Sequence, residues 1–270
     1  MKKISRRKFI QSGILASIGL ILLDSLWFEK YVIDWNYFDI SKGTKPKVKI
    51  IQISDLHLDS IRSFHRSIAE KINNLQPDFI FITGDSVDKT EKIGVLEGFL
   101  KMLDISILKI AILGNWEYWG KVNISKLTQA YQKYNCELLI DKHKSLSIKE
   151  RKITIIGLDD LIGGTPDFKA ATENIPESDL KIVLAHCPQH RDLIQKEKAN
   201  FTTDLILSGH THGGQVNIFG FVPFKPQGSG KYLKGWYSEN DPVMYVSKGI
   251  GTSMLPIRFG ARAEVVEIDI

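Results

Sequence analysis

Seven side chains in this 270-residue sequence have the types and placement to hold metal: Asp55, His57, Asp85, Asn115, His186, His210 and His212. The densest group is Gly209-His210-Thr211-His212-Gly213-Gly214, which sets two imidazoles two positions apart on a loop that follows the apolar run 204–207. Asp55 and His57 follow the run 48–53, Asp85 follows 79–82, Asn115 follows 110–113 and His186 follows 182–185. Seven oxygen and nitrogen donors are too many for one structural zinc, and neither Cys136 nor Cys187 belongs to a C-x-x-C pair, so a closed thiolate site is not expected. Two divalent ions sharing a ligand fit the count better, and the mixed donors suit Mn, Fe or Zn alike. Two such ions held close together act as Lewis acids and acidify a water bound between them.

Residues so far apart in sequence meet only if a sheet gathers them, and loops at the carboxyl ends of parallel strands do that. Periodicity predicts alternating elements in the first half: strand 48–53, helix 63–75, strand 79–83, helix 95–103, strand 108–113 and helix 124–134. The second half reads as strands at 137–140, 146–148, 153–157, 182–185, 204–207, 215–218, 232–236, 244–247 and 264–270. Alternation followed by a run of strands predicts an α/β fold of two sheets packed face to face with helices outside. About 225 residues beyond the N-terminal segment, in a chain 43% hydrophobic, are enough to bury a sizeable core. Two cysteines 51 positions apart make no disulfide framework.

The blocks Asp55-Leu56-His57, Gly84-Asp85, Gly114-Asn115-Trp116-Glu117, Ala185-His186 and Gly209-His210-Thr211-His212 stand in the order and rough spacing of the calcineurin-like metallophosphoesterases, which residues 46–270 therefore resemble. The resemblance implies a four-layer α/β/β/α sandwich of two mixed sheets with flanking helices. It implies that Asp55, His57, Asp85 and His212 hold one ion and that Asp85, Asn115, His186 and His210 hold the other, with Asp85 bridging. Asp85, Asn115 and His210 are then the catalytic candidates, in a hydrolase that attacks a phosphodiester or pyrophosphate with a metal-bridging hydroxide. One position departs from the pattern. The family block usually carries a histidine where this chain has Trp116, and an indole N–H donates but does not titrate. The substrate's leaving group is then expected to need little protonation, or His65 or His190 must enter the site from elsewhere. A catalytically silent scaffold that binds metal and a lipid or protein partner is the competing reading.

Trp116, with the backbone of Gly213 and Gly214, is the expected substrate contact. Trp119, Phe219, Phe221 and Phe224 add apolar groups nearby, which together favour a lipid-linked phosphate. The resemblance is nearest to the membrane-associated bacterial branch, whose members include UDP-2,3-diacylglucosamine pyrophosphate hydrolases of lipid A synthesis, an alternative activity.

The N-terminus supports a membrane setting. Lys2, Lys3, Arg6, Arg7 and Lys8 precede the apolar run 13–23, and Ser5-Arg6-Arg7-Lys8-Phe9-Ile10 matches a twin-arginine export signal. Residues 1–30 are expected to be a targeting segment or an uncleaved anchor, 31–45 a linker and 46–270 the catalytic domain. Residues 9–28 reach the roughly 20 needed to span a bilayer. This predicts a membrane-associated protein on the outer face of the cytoplasmic membrane, unless the anchor faces inward. Six of the 36 basic and two of the 31 acidic residues lie in the first 30, leaving 30 against 29. The net charge of +5 thus comes mostly from the targeting segment, and the body shows no nucleic-acid footprint. No obligate protein partner is expected.

Overall fold

The computed structural model of the chain describes residues 5–44, 46–197, 202–239 and 242–270. Lys2 and Lys3 of the basic N-terminal run lie outside the described residues. Helix α1 (Arg6–Leu23) is capped by the Ser5 side chain and buries none of its residues. It continues through a π-helical turn (Asp24–Phe28) into α2 (Glu29–Tyr31). The whole stretch Arg6–Tyr31 is a single helix long and apolar enough to cross a membrane.

Strand β1 (Asp34–Asp39) follows, then β2 (Lys49–Ile53), α3 (Ser63–Leu75), β3 (Phe79–Thr83), α4 (Ile93–Leu100), β4 (Leu108–Ile112), α5 (Asn115–Trp119), α6 (Ile124–Gln132) and β5 (Cys136–Leu138). The second half holds β6 (Lys142–Ile148), β7 (Arg151–Gly157), α7 (Phe168–Thr172), β8 (Leu180–Leu184), α8 (His190–Lys196), β9 (Leu205–Ser208), β10 (Gly235–Tyr237), β11 (Met244–Val246) and β12 (Glu264–Asp269). Two six-stranded mixed sheets result, ordered β1-β12-β2-β3-β4-β5 and β10-β11-β9-β8-β7-β6.

The alternation of side chains along each strand explains the layers. Ile50, Phe79, Phe81 and Ile110 of the first sheet meet Ile153, Ile155, Ile182 and Leu205 of the second in one buried core. The opposite face of the first sheet, with Ile51, Ile80 and Ile82, packs on Ile68 and Ile72 of α3, Leu96 and Phe99 of α4 and Leu127 of α6. The outer face of the second sheet, with Ile156, Val183 and Ile206, takes Ala171 of α7 and Ile194 of α8. The order is α/β/β/α, as expected.

Gln52 interrupts this apolar pattern. It is fully buried, and its amide donates to Thr83 Oγ1 (3.0 Å) and to the Ser208 carbonyl (2.9 Å), tying the two sheets together at the strand ends that carry the site.

Two expectations are corrected. Residues 31–45 are not simply a linker, because β1 lies within them and pairs in parallel with β12 along its whole length. Its sequence Asp-Trp-Asn-Tyr-Phe-Asp lacks an apolar run because β1 is an edge strand buried only in part. Residues 215–218 form no strand. His212–Gly214 is a single 3-10 turn, and the segment after it makes only isolated bridges, Val216 with Phe259 and Ile218 with Phe221.

Candidate metal centre

Every expected ligand follows the carboxyl end of a parallel strand: Asp55 and His57 after β2, Asp85 after β3, Asn115 after β4, His186 after β8, and His210 and His212 after β9. The turns are tight. Asp55, His57, Asp85, His210 and His212 all have positive φ, between 41° and 72°, a region disfavoured for side-chain-bearing residues and populated where surrounding structure enforces it. Gly84, at φ 90°, precedes Asp85, and any side chain there would run into the His186 ring.

The structure brings the side chains into two adjoining donor groups, Asp55 with His57 and His212, and Asp85 with His186 and His210, the ligand atoms of each lying within 4.8 Å of one another. Asn115 joins the second, its Oδ1 2.8 Å from His210 Nδ1. Asp85 stands between the groups: Oδ2 is 3.1 Å from His186 Nε2 and 3.7 Å from His57 Nε2, while Oδ1 accepts from the Trp116 N–H at 2.8 Å. Asp55 accepts from the His210 N–H with both oxygens, at 2.9 and 3.1 Å.

The ring partners say which nitrogens are free. His57 Nδ1 lies 2.6 Å from Asp88 Oδ1, His186 Nδ1 is 2.7 Å from the Thr83 carbonyl, and His210 Nε2 is 2.6 Å from the Gln227 carbonyl. Each acceptor fixes the ring proton on its own side and leaves the other nitrogen bare toward the cluster, as metal-binding histidines require. His186 Nε2 is accordingly buried and turned toward Asp85 Oδ2. His57 Nε2 and His212 Nε2 face each other at 3.2 Å, and His210 Nδ1 faces the Asn115 oxygen, contacts that a shared cation reconciles. His212 is the exception. Its Nδ1 meets the buried Arg258 guanidinium at 3.3 Å, so no acceptor holds its proton; that Arg258 nitrogen also donates to the carbonyls of Lys248, Gly249 and Gly251.

Electrostatics follow from this crowding. Burial alone would raise Asp85, but His186 and His57 beside it hold the carboxyl below its ordinary range. Burial opposes charge on His186 and His57 too, yet Asp85 raises the first and Asp88 the second. Burial, with His57 and Arg258 adjacent, pushes His212 well below the usual histidine range, which keeps the ring neutral.

The supporting residue that motif reading passed over is Glu117. Its buried carboxylate accepts from the backbone N–H groups of Gly114 (2.9 Å), Asp85 (3.1 Å), Ser86 (2.6 Å) and Val87 (3.3 Å), clamping the Asp85 loop to the start of α5. Burial and Asp85 push this carboxyl up, and the amides oppose that shift. Its place three residues after Gly114, in capping-box register, was the available signal.

A cavity of about 960 Å³ opens beside the donor groups, lined by Asp85, Asn115, His210 and His212 at its floor and by Trp116, Trp119, Phe224, Met254 and Leu255 around it. Trp116 stands edge-on to the His57 ring, with centroids 5.9 Å apart, and packs against Trp119. Apart from the floor residues, Lys225 is the one charged side chain in the lining.

Neither histidine considered as a stand-in for the missing one reaches this cavity. His65 Nδ1 accepts from the Arg62 N–H at the start of α3, and His190 is buried at the start of α8. Gly214 lines the cavity and Gly213 does not. Their N–H groups donate to the Thr211 carbonyl and the Thr211 hydroxyl, so the expected amide contacts to substrate are spent within the turn. Cys187 is a free buried thiol that donates to Asp160.

A family model described as calcineurin-like phosphoesterase matches residues 48–214. The metallophosphoesterase YkuE of Bacillus subtilis (strain 168) is 29% identical over 285 residues, covering 98% of this chain and 97% of that protein. A metallophosphoesterase of Helicobacter pylori (strain ATCC 700392 / 26695) is 30% identical over 280 residues, covering 97% of this chain and 71% of its own length. The metallophosphoesterase YkoQ of Bacillus subtilis (strain 168) is 28% identical over 230 residues, covering 82% and 83%.

Proposed function

The chain belongs to the calcineurin-like phosphoesterase family, and from that premise we propose that it hydrolyses a phosphodiester or pyrophosphate bond in a substrate with a large apolar part, at a centre of two divalent cations. Asp55, His57, Asp85 and His212 would hold one ion; Asp85, Asn115, His186 and His210 would hold the other. The observation that carries this reading is the position of Asp85, whose Oδ2 faces a ring nitrogen of each donor group. When bound, two such ions supply Lewis-acid activation of the phosphate and of a water.

The chain's own residues do the rest. The Trp116 N–H pins one oxygen of Asp85, so the other is aimed at the junction of the groups. Glu117 fixes the loop that presents Asp85 and Asn115. Trp116 brings no titrating proton to the leaving-group side, which selects esters whose leaving group departs as a stable anion. Lys225 offers a cation to an anionic head group, while Trp119, Phe224, Met254 and Leu255 offer apolar surface to the remainder, favouring a lipid-linked phosphate. The Ser5-Arg6-Arg7-Lys8 sequence, which forms the cap and first turn of the apolar helix, supports export by a twin-arginine route and retention on the membrane's outer face.

The test is metal content with turnover on the full chain in detergent. Elemental analysis is expected to find close to two ions per chain. Added Mn²⁺ is expected to support cleavage of aryl diesters, glycerophospholipids or UDP-diacylglucosamine. Two ions without cleavage of any of these would make the protein a metal-bearing scaffold, and no bound ion would undo the ligand assignment.

A further inference from the structure

We propose that the face beside the cavity mouth seats on a phospholipid bilayer, and that substrate enters the cavity from that interface; the second half of this statement rests on the hydrolase reading above. Three apolar segments, distant in sequence, build the face. The first is the hairpin 218–221, closed by reciprocal hydrogen bonds between Ile218 and Phe221 (2.8 and 3.0 Å). Its two central residues both have positive φ, 51° at Phe219 and 98° at Gly220. A phenylalanine in that conformation is strained, and here it stands at the tip, 100% exposed. The second is the loop with Met254 and Leu255, 78% and 58% exposed. The third is the root of the apolar helix, where Leu26, Trp27 and Phe28 are exposed.

Hydrogen bonds stitch these three into one surface. The Gln215 side chain donates to the Ser253 and Leu255 carbonyls at 2.9 and 2.8 Å, and the Asn217 N–H donates to the Phe259 carbonyl at 2.7 Å, fastening the hairpin to the loop. The Arg258 N–H donates to the Ser25 carbonyl at 2.9 Å, and the Glu29 carboxylate accepts from the Gly260 and Ala261 N–H groups at 2.7 and 2.8 Å, fastening the loop to the helix root. The loop and Phe224 also line the cavity, so the face and the mouth are continuous.

A bilayer is the occupant that fits. The surface continues directly into a helix long and apolar enough to cross a membrane. Apolar and aromatic tips project from it as in interfacially bound segments. The ammonium groups of Lys30 and Lys234 sit on the same loop, donating to the Pro256 and Gly260 carbonyls, where they meet lipid phosphates.

The test reconstitutes the full chain in phosphatidylcholine vesicles. Cys136 and Cys187 are buried, so a fluorophore on Phe219→Cys labels the hairpin alone, and one on Glu150→Cys, an exposed turn residue, serves as the reference. Lipid-borne nitroxide is expected to quench the label at 219 and spare the label at 150; equal quenching at both would overturn the docking face. In parallel, F219E/F221E is expected to lower cleavage of a bilayer-embedded phospholipid by roughly tenfold or more. The same variant should leave a water-soluble aryl diester unaffected, which also shows that it folds. An equal loss on both substrates, or no loss on the lipid, would overturn entry from the interface. If wild type cleaves neither substrate, the hydrolase reading fails, entry from the interface falls with it, and the quenching result still decides the docking face.

Discussion

Asp85 has one oxygen held by a backbone amide and the other turned toward two histidines, so the amide of Asp85→Asn places either a repelling N–H₂ or a weaker neutral oxygen where two cations need a carboxylate. Turnover is expected to fall by at least about 10² and bound metal to drop, both read from one purified sample; unchanged metal content would remove Asp85 from its bridging place. Glu117→Gln puts an N–H₂ among four backbone donors, leaving buried amides unpaired. A lower urea midpoint equivalent to about 1 to 3 kcal/mol is expected, together with weaker Mn²⁺ retention. Trp116→His is expected to raise cleavage of diesters with poor leaving groups by an order of about 10² while changing activated aryl diesters little. No gain would mean that Trp116 is no substitute for an acid. The seven donor positions were legible because each belongs to a short block after an apolar run. Asp88, Gln227 and Arg258 were not, because the partner of a ring nitrogen is set by tertiary approach: Asp88 lies 31 residues from His57 and Arg258 lies 46 from His212.

Strands buried on both faces were the most readable elements, since β2, β3, β4, β8 and β9 are short apolar runs bounded by turn residues. β1 was hidden because an edge strand needs no such run, and its polar side chains bond across the sheet instead: Trp35 Nε1 to Glu267 at 3.2 Å and Asn36 Nδ2 to Glu264 at 2.6 Å. The contrast predicts two different truncations. Starting the chain at Asp24 removes only a helix that buries nothing, and the urea midpoint of the domain is expected to hold. Starting at Lys42 also strips β1 and Glu29 from their partners, and a loss of about 3 kcal/mol or more is expected. Equal stability of the two fragments would make β1 an ornament of the fold.

At the scale of the whole molecule, one neutral histidine is buried in each outer helical layer, His65 on α3 and His190 on α8. Burial pushes both down to about 4. In the unfolded chain they titrate near 6.5. As pH falls below that value the unfolded state takes up protons first, so stability is lost between about pH 6.5 and 4 and the loss levels off below. Each is worth on the order of 3 kcal/mol, and the two together on the order of 7 kcal/mol. The difference in urea midpoint between pH 7 and pH 5 should shrink in His65→Gln/His190→Gln, and an undiminished difference would assign acid sensitivity elsewhere. The strand order carries a last consequence. β12, the final strand of the sequence, lies between β1 and β2, the first two. Until β12 has been made and released from the ribosome, β1 and β2 have no partner between them, and the first sheet cannot close. Whatever meets the N-terminal helix as it emerges therefore meets a domain whose first sheet still lacks the strand that joins its edge to its centre.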